Sequence, residues 1–292
     1  MRWSALLRAT SLTGALPLVC FLLLGCSQVG QLVGNPDQDL PLPDGFQLLF
    51  NHRDGGRYRH PLSGEWRNGD DLEQHLIDQI DSAERELLVA VQELTLPNIA
   101  EALARAHRRG VTVQVVLENT YSAPWSQLHA SDLNTHGRQR LRQLQQLADS
   151  DRNGTLSAEE RLAGDAVALL QRARVPMIDD TEDGSRGSGL MHHKFMVVDQ
   201  KQVITGSANF TSSGIHGDAG AEHTRGNVNH LLSIHSDQLA AEFRVEFKRM
   251  WGDGPGGETD SRFGRGKNSR PPKTVQVNGV TVEVLFAPHP RN

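Results

Sequence analysis

The stretch MHHKFMVVD, residues 191–199, and the GSANF that follows at 206–210 decide how this chain is read. An apolar run of strand length with polar ends predicts a strand. The short gap before QVITGSAN predicts a hairpin. Side chains alternate along a strand, so His192 and Lys194 share one face while His193 and Phe195 share the other. On the partner strand Ser207 and Asn209 share parity, and Gly206 admits a close backbone. The hairpin gathers an imidazole, an ammonium, a hydroxyl and an amide at one rim of a sheet. Asp199 has the opposite parity and falls at the turn, where it is expected to bond the turn or hold the site's framework.

That set suits a tetrahedral anion. An imidazole serves as nucleophile or proton shuttle near neutral pH. Lys194 supplies fixed positive charge, and Ser207 and Asn209 supply neutral donors for oxygens on which charge develops. Phosphoryl transfer is the chemistry these groups fit best. Zinc fits poorly, because His192 and His193 point apart on a strand and a zinc site wants three or four convergent ligands.

HxKxxxxD followed by six residues and GSxN resembles the signature of the phospholipase D superfamily, matched by His192, Lys194, Asp199, Gly206, Ser207 and Asn209. The resemblance extends over about residues 46–252. It implies a two-step phosphodiester cleavage. His192 attacks phosphorus to give a phosphohistidine, Lys194 and Asn209 grip the oxygens, and Ser207 supports them. A second histidine serves as general acid and base, and no metal is required for catalysis.

The family usually builds one site from two such motifs, and this sequence offers one. Either a homodimer supplies the second histidine, or the chain is the first half of a two-half architecture. VTVEVLFAPHPRN resembles the first strand of a second half, which favours the two-half reading. A further departure is Asn229 in NVNH, where family members often place a glutamate that supports a histidine.

Around the motif, ELLVAVQEL and VTVQVVLEN read as buried strands. DDLEQHLIDQIDSA places Leu72, Leu76, Ile77 and Ile80 at helical spacing, and LPNIAEALARAHRRG is a helix ending at Gly110. SDQLAAEFRVEFKRMWG carries Leu239, Phe243 and Phe247 on one stripe. Strand alternating with helix predicts an α/β fold with helices covering a parallel sheet, and the resemblance implies the phospholipase D type: a mixed, mostly parallel sheet flanked by helices, here with an inserted helix-loop-helix. The core domain is placed at 46–252 with the insertion at 121–175. A Gly/Arg/Pro-rich linker follows at 253–274, and a lone strand in 275–292 opens a second half.

Within the insertion, DSDRNGTLSAEE at 149–160 matches an EF-hand calcium loop position by position. Asp149, Asp151, Asn153, the Thr155 carbonyl and Glu160 are the expected ligands, with Ser157 acting through water, Gly154 at the sharp turn and Leu156 in the apolar slot. Calcium is expected to brace the inserted helices, not to do chemistry. A solvated acidic turn is the alternative.

The chain of 292 residues has net charge −5 and two cysteines, both within the first 26 residues. A disulfide framework is therefore excluded, and a surface built throughout for nucleic acid is disfavoured. Arg2 and Arg8 precede an apolar run that stops at Leu23-Leu24-Gly25-Cys26, which resembles a bacterial lipobox. The resemblance implies a signal peptide at 1–26, a lipidated Cys26 as membrane anchor, and a location in the cell envelope facing the periplasm or exterior. Residues 27–45 read as a tether. The expected substrate is phospholipid, giving phosphatidic acid and an alcohol. Two other readings remain. One is an endonuclease of the same superfamily, its nucleic acid steered by Arg262, Arg265, Lys267, Arg270 and Lys273. The other is a calcium-binding envelope protein with an incomplete active site.

Overall fold

Five consecutive apolar residues after Glu86 form β4 (Glu86–Val91), and all six residues of the strand are buried. The computed structural model describes residues 41–61, 64–184, 190–217 and 226–289. The signal segment, Cys26 and most of the tether fall outside the described residues. Alternation sends Leu87, Val89 and Val91 to one face of β4, where α1 (Leu72–Ser82) and α2 (Pro97–Arg108) pack. Leu88 and Ala90 go to the other face, against α7 (Asp237–Trp251). Leu72, Leu76 and Ile80 are 0% exposed, each burial contributing about 1.5–3 kcal/mol. Ile77 flanks that stripe and is partly buried.

Local signals fix the helix ends. The Asp71 side chain accepts from Gln74 N and Ser236 from Leu239 N, satisfying donors that open α1 and α7. Pro97 starts α2, and basic residues fill its last turn. Gly252 ends α7 with φ 59, a left-handed backbone that glycine adopts without strain. Among the described residues no helix is long and apolar enough to cross a membrane.

The sheet has seven strands in the order β1-β9-β8-β7-β4-β5-β6. The remaining six are β1 (Phe46–Phe50), β5 (Thr112–Leu117), β6 (Met177–Asp179), β7 (Lys194–Val198), β8 (Gln202–Gly206) and β9 (His230–His235). The expectation of a mostly parallel sheet needs correction. β4/β5 and β5/β6 run parallel, while β4/β7, β7/β8, β8/β9 and β1/β9 run antiparallel. Helical crossovers serve only the first two pairs. β7 and β8 are joined by a tight turn through Asp199 and Gln200, which imposes antiparallel pairing. β1 closes the far edge against β9 and does not start the parallel run.

The loop after β1 carries a small hairpin, β2 (Arg57–Arg59) with β3 (Trp66–Asn68). The insertion holds α3 (Thr135–Ala148), α4 (Ala158–Ala163) and α5 (Ala166–Arg172), and the short α6 (Ser212–Ile215) follows β8. Trp125, Leu141, Leu144 and Ala148 give it a core of its own.

Beyond residue 252 the expected linker and lone strand are both corrected. Ser261, Phe263 and Lys267 are buried, so the glycine-rich segment packs in place. VTVEV is β11 (Val280–Val284), paired antiparallel with β10 (Lys273–Val277). Asn278 and Gly279 take φ 47 and 85, the backbone a two-residue hairpin turn requires. Val275, Val277, Val282 and Phe286 then pack in the cluster that holds α7.

Candidate active site

β7 begins at Lys194, so His192 stands at the entrance to the strand and not within it. Phe195 and Val197 face the α7 side, and Met196 and Val198 the α1–α2 side. Lys194 has the parity of Met196. Gly206 ends β8, where an added Cβ would lie 2.1 Å from the His230 carbonyl oxygen, so β9 approaches as closely as glycine permits.

Lys194 Nζ donates to Gln92 Oε1 at 3.1 Å and to the His192 carbonyl at 3.2 Å. Asn209 Nδ2 donates to the same Gln92 Oε1 at 3.3 Å. One amide oxygen thus holds the ammonium and the carboxamide together. Both hydrogen-bond acceptors of the ammonium are neutral, and they take two of its three donors. Burial lowers the Lys194 pKa to about 8, opposed by the charge of Glu93. Glu93 is itself engaged by Arg140 of α3 at 2.6 Å. The exposed His192 imidazole sits below its ordinary pKa, chiefly through partial burial and then through the charges of Lys194 and His193. A neutral imidazole at pH 7 retains the lone pair a nucleophile needs.

Ser207 Oγ meets His230 Nδ1 at 3.2 Å and accepts from His230 N at 3.2 Å. His193 turns to the opposite face, with Nε2 3.5 Å from Glu246 and its ring edge-on to Phe195. Asp199 is not brought to this rim. It lies five residues along β7 from Lys194, roughly 17 Å at strand rise. There its carboxylate accepts from Glu84 N, Arg85 N and Glu86 N, clamping the β7–β8 turn to the start of β4. Burial raises its pKa, but the three N–H donors outweigh that and the net shift is downward. Asp199, counted in the motif, therefore serves as framework at the turn and is not one of the reacting groups. Asn229 is buried, bonded to Asn51 and to the Gly214 carbonyl, and holds fold rather than substrate. His216 is likewise fixed in the interior, between Glu73 at 2.6 Å and Tyr58 at 3.0 Å.

Gln92 and His230 were missed in the sequence. Gln92 does leave a trace: it is the polar residue that breaks the apolar run LLVAV.

The loop at 149–160 folds as a tight acidic knot. Asp149, Asp151 and Glu160 each offer an oxygen, all within 4.8 Å of one another. Gly154 takes φ 82 at the sharp turn. Glu160 closes a capping box with Ser157 and also accepts from Ser150 N. The Ser157 backbone N–H, its hydroxyl and Ser150 hold the Glu160 pKa down to about 2. Asn153 Oδ1 accepts from Thr155 N. This donor set, carboxylate and amide oxygens, fits a hard cation of the calcium type.

The family model described as "Cardiolipin synthase, PLD-like domain" matches residues 76–251, more than half of the chain. Mitochondrial cardiolipin hydrolase from Xenopus laevis is 29% identical over 177 residues, covering 60% of this chain and 59% of that protein. The human protein of the same name is 25% identical over 184 residues, covering 63% and 52%. Phospholipase D from Rickettsia conorii is 24% identical over 169 residues, covering 58% of each. The matches therefore span between half and three fifths of these relatives' length. Among solved structures, Nuc from Salmonella typhimurium, a phospholipase D family member, aligns at 20% identity with TM-score 0.41, covering 75% of this chain and 98% of that one. The chain belongs to the phospholipase D-like family of phosphodiesterases.

Proposed function

We propose that this protein hydrolyses phospholipid phosphodiesters through a covalent intermediate on His192, releasing phosphatidic acid and the head-group alcohol. The observation that carries the reading is the shared Gln92 oxygen, which sets Lys194 and Asn209 side by side next to an exposed, neutral imidazole. The phosphate oxygens sit against the ammonium and the amide. His192 attacks phosphorus, a P–N bond forms and the P–O bond to the head group breaks. A second histidine gives its proton to the departing alkoxide. The same group then takes a proton from water, whose oxygen displaces His192. That second histidine comes from a second copy of the chain or from a further half of the same architecture.

Lipidated Cys26 tethers the enzyme to the envelope membrane, facing the periplasm or exterior, beside its substrate. The Asp149–Glu160 loop holds calcium as a brace for the inserted helices and contributes no step to the reaction. The experiment is turnover of purified protein on phosphatidylcholine and on DNA, compared with His192→Ala. Lipid turnover lost in the variant is the expected result. Turnover of DNA alone, falling steeply with salt, points instead to a nuclease.

A further inference from the structure

A cavity of about 410 Å³ opens beside His192, within the size range of small-ligand sites. Eleven residues line it, and six are apolar: Leu190, Met191, Met250, Phe263, Ala287 and Pro288. Most of one wall comes from residues 263–288, beyond the end of the family match at residue 251. The packed glycine-rich segment and the stretch after β11 thus add a chamber to a family site.

The polar groups inside it are already committed. Glu246, 0% exposed, receives Lys267 Nζ and lies 3.5 Å from His193 Nε2. A ligand entering here finds an apolar interior with its charges cancelled and one exposed cation, Arg265, on its lining. A nucleic acid wants several exposed cations and an open aromatic face. Phe263 is 3% exposed and offers no such face.

We propose that this cavity is an acyl subsite, receiving one fatty-acyl chain of a phospholipid whose phosphate lies between Lys194 and Asn209. It deepens the proposed function and rests on it. Leu190, 54% exposed, forms the lip over which the chain passes, and Ala287 is small enough to leave the channel open.

The test is a chain-length series of short phosphatidylcholines below their micellar concentrations. A buried methylene is worth about fourfold, so dihexanoyl should exceed dibutyroyl phosphatidylcholine in kcat/KM by about 15-fold for one accommodated chain. Ala287→Trp, which fills the channel, should collapse that ratio to below about threefold, and Leu190→Ser should lower it less. The ratio is measured within one enzyme, so loss of folded protein does not imitate the effect. Equal efficiency at both lengths, or an unchanged ratio in Ala287→Trp, overturns the subsite while leaving lipid hydrolysis intact. Turnover of methyl p-nitrophenyl phosphate without any turnover of phosphatidylcholine refutes the lipid reading and the subsite with it. Turnover of neither refutes the enzyme reading itself.

Discussion

Burial brings the Lys194 pKa down to about 8 against the charge of Glu93, and Gln92 is the neutral partner that also aims Asn209. Turnover requires His192 neutral and Lys194 charged. Activity should rise with pH through the His192 pKa, which lies below 6.5, and fall through about 8 as Lys194 loses its proton. Gln92→Leu removes the common acceptor and should lower kcat/KM about 10- to 100-fold, the range of a misplaced catalytic group. Gln92→Glu sets a carboxylate on the ammonium and should move the alkaline limb to higher pH. A pH–rate profile on both variants checks this, and limbs unchanged from wild type contradict it. The motif residues were legible because their spacing is short and alternation along a strand is strict. Gln92 was not, because it lies about 100 positions upstream and meets Lys194 only once β4 and β7 pair.

At the scale of elements, periodicity identifies the buried strands and amphipathic helices, the β7–β8 hairpin and the parallel β4–β5 pair, but not the antiparallel pairing of β4 with β7. An apolar run of five residues is compatible with a parallel or an antiparallel neighbour, and the chain's course between strands decides which. The Asn278-Gly279 turn signal is present in the sequence and KTVQV alternates polar with apolar residues, but this strand straddles the expected linker boundary at 274 and only VTVEV was expected as a strand. The insertion is the element whose reading is most directly testable. α3, which leads into the acidic loop, also sends Arg140 to Glu93 at the edge of the site. An isolated loop of this kind binds calcium at about 10⁻⁴–10⁻³ M. Calcium at a few millimolar should therefore raise Tm by a few °C, and a chelator should reverse it. Asp149→Ala should abolish the shift while leaving turnover per folded molecule within about twofold. A Tm indifferent to calcium contradicts the brace.

For the whole molecule, the question is where the second histidine resides. The described residues from Pro43 onward form one compact unit that includes the C-terminal hairpin, and it presents a single His-Lys-Asn rim. If a second copy completes the site, specific activity should fall on dilution with the same midpoint as dimer dissociation in sedimentation. Constant specific activity in a monomeric sample contradicts pairing. The account's central claim is that His192 becomes covalently bonded to phosphorus. The most direct measurement is an alkaline quench during turnover of dihexanoyl phosphatidylcholine, followed by mass mapping of the peptide that contains residues 191–199. The account predicts a phosphatidyl group on His192, absent from His192→Ala. Product formation with that peptide unmodified, or with the group on another residue, contradicts it.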